Sequence, residues 1–229
     1  MLDWPELMPR LCAWLGSQPP AETLFVVGGG MLVEAIREAD QLRPLGDEAA
    51  HWQAIRAMTI NAEMIRQKLV EVGQTFPLGL SSGRRLSARS PEKDTADKNV
   101  CPSDALCTSL LALREAAPTP RRLVIDPYPI IHDEDRVLMG DDALPASWDV
   151  TSDSIAARIA ALSRASRLTL LKSALPPGGT IAAATAAGYV DRYFPQACRA
   201  IERVDCVNLR LDSVTAMQLR SSHSPSASA

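Results

Sequence analysis

The sequence predicts an α/β fold with a mostly parallel sheet covered by helices on both faces. Three observations predict it. Short apolar runs rich in strand formers alternate with stretches whose hydrophobic residues recur at helical spacing. Leu24-Phe25-Val26-Val27 breaks into Gly28-Gly29-Gly30 and then into an amphipathic segment. Trp148-Asp149-Val150-Thr151-Ser152-Asp153-Ser154 delivers the chain in the same way to an Ala-rich stretch over 155–162. Strands joined through helices in this order run parallel by preference.

Taken along the chain, residues 5–15 carry Leu7, Leu11, Trp14 and Leu15 at helical spacing, and Pro19-Pro20 ends that helix. Residues 24–27 read as a buried parallel strand. Residues 31–40 place Leu32, Ala35, Ile36 and Ala39 on one helical face. Residues 47–72 give a longer helix with Trp52, Ile55, Met58, Ile65 and Leu69 as its stripe. Residues 81–99 are polar, with few hydrophobes, and read as a surface loop or insertion. Leu106, Leu110 and Leu113 mark a helix over 103–115. Residues 122–126 and 167–172 read as strands, separated by a long connection over 127–147 rich in Asp and Pro. Helices follow over 180–188 and 193–201, with a last strand over 206–211. The expected domain is 1–211. Residues 212–229, ending in a Ser-rich low-complexity run, read as a disordered tail.

Composition excludes several classes. A net charge of −3 gives no basic footprint for nucleic acid. No apolar run is long enough for a membrane helix, which needs about 18 residues, and residues 1–14 do not form a secretory signal. The five cysteines make no Cys-x-x-Cys pair, so reduced thiols in a cytoplasmic protein are expected, with no metal site.

Both glycine- and aspartate-bearing segments suit phosphate, because a helix start presents unpaired N–H groups and the positive end of its dipole. Gly28, Gly29 and Gly30 let backbone approach a ligand closely, although a tight strand-to-helix turn uses glycine too. Their spacing fits neither a dinucleotide fingerprint nor a Walker loop. Capping explains one of Asp149, Thr151, Ser152, Asp153 and Ser154 but not the whole polar set. A carboxylate there can position Mg²⁺ or a cationic side chain near phosphate. Lys172 closes a strand, where it can neutralise phosphate charge or simply meet solvent. Asp126 and Tyr128 end another strand. His132, Asp133, Glu134 and Asp135 make a polar run open to metal binding or plain solvation. His51 and Trp52 read as packing residues, or as the lining of an acceptor pocket.

These stretches resemble the amino acid kinase superfamily. The match rests on Val26-Val27-Gly28-Gly29-Gly30, on residues 149–157, and on Leu170-Leu171-Lys172-Ser173. Within the superfamily the chain is similar to a small subgroup with Thr-Ser-Asp-Ser and Leu-Lys-Ser signatures, linked to methanofuran and tetrahydromethanopterin one-carbon cofactor biosynthesis. The resemblance implies a carbamate kinase-like three-layer α/β/α sandwich. It implies phosphoryl transfer from ATP, with Mg²⁺, to a small-molecule phosphate or carboxylate. It places the three glycines on the acceptor side, Asp149, Thr151, Ser152 and Ser173 near the phosphates, Asp153 as organiser of the catalytic lysines, and Lys172 near the donor. Superfamily members often form homodimers.

The superfamily opens with an apolar strand ending in Lys-x-Gly-Gly-Ser, which this sequence lacks. The expectation is a start codon placed too far downstream. The rival is a non-catalytic paralogue that binds a nucleotide or a partner enzyme. A dinucleotide-dependent oxidoreductase is weaker, for want of the glycine spacing.

Overall fold

In the computed structural model the described residues are 2–73, 106–114, 121–211 and 213–221. The expected insertion over 81–99 and the end of the tail, 222–229, lie outside them.

The described elements alternate as the periodicity requires. Helix α1 (Leu7–Ser17) precedes strand β1 (Thr23–Phe25), then helices α2 (Gly30–Leu42) and α3 (Asp47–Gly73). After α4 (Leu110–Arg114) comes β2 (Arg122–Val124). The expected long connection is instead helical for much of its length: a turn α5 (Pro127–Pro129), a π-helical stretch (Ile130–Asp135) and α6 (Arg136–Met139). Asp126 nucleates it by accepting a hydrogen bond from the Tyr128 N–H, with proline at the first helical position. Helix α7 (Ser152–Leu162) leads to β3 (Arg167–Lys172), then to short helices α8 (Ile181–Ala186) and α9 (Phe194–Ala197) and to strands β4 (Arg203–Asn208) and β5 (Thr215–Leu219).

The described strands do not form one sheet. β1 pairs in parallel with β2, with Thr23 opposite Arg122. β3 pairs in parallel with β4, and β4 pairs antiparallel with β5. Among the described residues no strand joins β1 to β3, so each keeps an edge without a ladder partner. β5 corrects the expectation of a disordered tail from residue 212. Its burial alternates along the strand, and its Leu219 enters the core opposite Val204. Three polar or small residues among five hide that strand from a hydrophobicity reading.

Both sheets divide their side chains by the period of two that a pleated strand imposes. Leu123 and Ile125, Leu168 and Leu170, and Val204 and Cys206 face one core, with Ile155 and Ile159 of α7 and Phe194. Val207 and the partly buried Phe25 and Leu171 face Leu7, Leu11 and Leu15 of α1. Val124 joins Val27 and Ala62 in a third cluster. α1 and α7 thus bury their stripes against alternate residues of the same strands. Helix α2 departs from expectation. It packs on α3 without burying a single side chain, and Met31 and Leu42 stand in solvent.

Cys12, Cys198 and Cys206 carry free thiols. Among the described residues no helix is long and apolar enough to cross a membrane.

Candidate active site

A cavity of ≈ 450 Å³ lies between the open edges of β1 and β3. Leu24, Phe25 and Val26 line one side; Thr169, Leu170, Leu171 and Lys172 line the other. Two helix starts reach it. Gly28, Gly29 and Gly30 carry the chain from β1 into α2, and Thr151, Ser152 and Asp153 carry it into α7. The two turns meet. A Cβ placed on Gly28 would stand 3.2 Å from Ser152 Oγ, so glycine allows that approach. Gly30 has φ +52, which favours glycine for a different reason. Neither helix start has a side-chain cap from its own N-cap residue; the α7 start is met instead by the Asp191 carboxylate, while the α2 start presents its dipole end to the cavity.

Asn61 of α3 fixes the glycine turn. Its Nδ2 donates to the carbonyls of Gly28 (2.9 Å) and Gly29 (2.7 Å), and the residue is buried. Asp191 fixes the other turn. Its carboxylate accepts from Thr151 N and Oγ1, from Ser154 N and Oγ, and from the N–H groups of Tyr193 and Phe194. One anion therefore ties the start of α7 to that of α9. Sequence reasoning singled out neither residue. Asp191, three positions before Phe194-Pro195, carries an N-cap signal for α9 that was available. Asn61 sits mid-helix and carries no signal of its own.

Lys172 Nζ donates to Asp153 Oδ2 at 2.7 Å and to the Tyr189 carbonyl, and it lies 4.8 Å from the Tyr189 ring centroid. Two of its three N–H bonds are committed, leaving one without an acceptor among the described residues. The Asp153 side chain is only 13% exposed and that of Lys172 26%. Burial pushes the Asp153 carboxyl above its ordinary value, against the opposing pull of Lys172. The direction follows burial because a single contact does not replace a carboxylate's lost hydration.

The other expected site residues divide. Ser152 and Thr151 line the cavity; Asp149 and Ser173 are exposed and not among its lining residues. Asp149 instead faces Arg192 at 3.8 Å. The polar run at 132–135 scatters: Asp133 meets His132, Glu134 accepts from Leu110 N–H, and Asp135 is buried with Leu144 N–H and Arg158. The π-helical backbone sends these carboxylates apart, and no group of three metal-ligating side chains forms among the described residues. Asp126 accepts from Thr59 Oγ1 as well as capping its turn. Tyr128 stacks on His132 and receives a hydrogen bond from Arg56, so both act structurally outside the cavity.

The carboxylates on the cavity wall are already paired, Glu34 with Arg37 at 2.6 Å and Asp153 with Lys172. Mg²⁺ ordinarily takes one or two carboxylates plus phosphate oxygens and keeps several waters. The wall therefore suits an ion carried in on phosphates and offers no cage of its own. The α2 start and Lys172 suit the anionic oxygens themselves. No protein-family model matches this chain, and no curated protein matches it significantly.

Proposed function

We propose that the chain is a small-molecule kinase scaffold of the amino acid kinase type, binding Mg-ATP and a phosphate- or carboxylate-bearing acceptor in the cavity between β1 and β3. The observation that carries the reading is the convergence of two helix starts and the Lys172–Asp153 pair on one cavity. ATP would supply the transferable phosphoryl group, and Mg²⁺ would shield its oxygens. Lys172 directs its remaining N–H at developing charge, and Asp153 holds Lys172 in place. The α2 start seats anionic oxygens beside the point where the glycine turn meets Ser152. An acceptor oxygen attacks the γ-phosphorus as the bond to the β-phosphate bridging oxygen breaks, and ADP departs. Positioning and charge neutralisation account for most of such a reaction.

The alternating faces of both sheets support a three-layer sandwich. One-carbon cofactor biosynthesis is the proposed setting, on the resemblance of the motifs alone.

Calorimetric titration with Mg-ATP tests the reading. Binding in the millimolar range or tighter, weakened about tenfold by Lys172→Met, is expected, since a charge-assisted hydrogen bond contributes about 1.5–3 kcal/mol. No binding at millimolar nucleotide sinks it.

A further inference from the structure

His51 of α3 is 2% exposed and lines the cavity beside Trp148, Ala54 and Ile55. Its Nδ1 lies 3.0 Å from the Ser147 carbonyl oxygen. A carbonyl only accepts, so Nδ1 carries the proton in that contact and Nε2 bears a lone pair. Nε2 is enclosed and has no hydrogen-bond partner among the described residues, so a donor reaches it only as a neighbouring wall side chain shifts. Desolvation lowers the imidazole's pKa, with the Ser147 contact pulling the other way, so the ring is neutral near pH 7. A buried acceptor left unmatched is uncommon and points to a partner the protein itself does not supply. The neighbouring walls give none. Trp52 meets the ring edge-on at 5.0 Å, and Ile55, Met58 and Val150 are apolar.

We propose that His51 is a substrate-binding residue whose Nε2 accepts a hydrogen bond from an O–H or N–H group of the acceptor molecule. This rests on the kinase reading and narrows it. The acceptor carries, besides its phosphate or carboxylate, a hydroxyl or amine donor reaching the α3 side of the cavity. A site that matches a donor discriminates against an analogue lacking it, because the buried acceptor is then left unpaired. Sugars, amino alcohols and hydroxymethyl-substituted rings fit the class; plain alkyl phosphates do not.

A matched pair of probes tests the proposal on the whole chain: 2-hydroxyethyl phosphate and ethyl phosphate, followed by calorimetry and by nitrogen NMR of the histidine rings. The free protein should show His51 protonated at Nδ1 and bare at Nε2. It should prefer the hydroxylated probe by about tenfold, with the Nε2 resonance moving on binding. His51→Leu should erase the preference. His51→Gln, which keeps an acceptor near the Nε2 position, should retain much of it. A proton on Nε2 in the free protein overturns the proposal. So does equal binding of the two probes, a preference that survives His51→Leu, or binding of neither probe. Mg-ATP binding is measured alongside: its absence with an intact probe preference removes the kinase reading and leaves the role of His51 standing.

Discussion

Lys172 and Asp153 sit 2.7 Å apart at the wall of the cavity, and each limits what the other can tolerate. Lys172→Met leaves a largely buried carboxylate without its cation. A loss of about 2–3 kcal/mol in urea denaturation at pH 7 is expected, below the range for fully buried pairs because Lys172 keeps some solvent. The raised Asp153 pKa means that the folded protein holds that proton more tightly than the unfolded chain. Stability contributed by this group therefore falls as pH rises from the ordinary value of 3.8 through the raised folded value, and is level above it. Comparing wild type with Asp153→Asn across that window isolates the effect. The substitution should flatten the profile, and an unchanged difference at every pH would contradict the assignment. Asn61→Leu, which strips the Gly28 and Gly29 carbonyls of their donor, should cost about 2 kcal/mol by the same measurement.

Helix α7 begins where Asp191 collects hydrogen bonds from both its own turn and that of α9. Asp191→Asn keeps the shape but loses the charge and half of the acceptor capacity. It should destabilise by about 2–4 kcal/mol and free the α7 start, seen as faster amide exchange at Thr151 and Ser154. At this scale the sequence is most readable where one strong period operates. The sequence places β3 to the residue, and α3 nearly so, because an unbroken apolar stripe or run leaves little choice. The glycine turn and the acidic helix entrance were also legible, since each combines turn chemistry with a helix start. What stayed hidden depends on partners distant in the chain. Asn61 acts on carbonyls at residues 28 and 29, and Asp191 acts on residue 151. The strand β5 is defined by the β4 edge it covers rather than by its own composition. The resemblance places Asp149 and Ser173 near the phosphates, yet both are exposed and outside the cavity lining, since a one-residue step along a loop or strand turns a side chain away.

The whole molecule is held by clusters that span both sheets, although the ladders themselves are interrupted. β4 is paired on both sides and lies wholly in the core apart from Arg203; β1 has one neighbour and only half-buried side chains. Native-state hydrogen exchange should therefore rank β4 slowest and β1 fastest among the strands. Equal protection would show that the break between the sheets has no energetic consequence. Charge patterning at this scale is modest. Glu34–Arg37, Glu63–Arg66 and Lys68–Glu71 are local helix pairs, while Glu48 of α3 reaches Arg136 of α6 at 4.0 Å.

The cavity touches Leu24 near the front of the sequence and Lys172 near its back. Whatever fills it becomes a rivet through parts of the chain that backbone hydrogen bonding leaves unlaced. Occupancy should then register globally, as a later melting of every element at once, with a magnitude set by affinity and concentration. A thermal shift screen on this chain would accordingly report residence in the gap even for compounds that undergo no chemistry there.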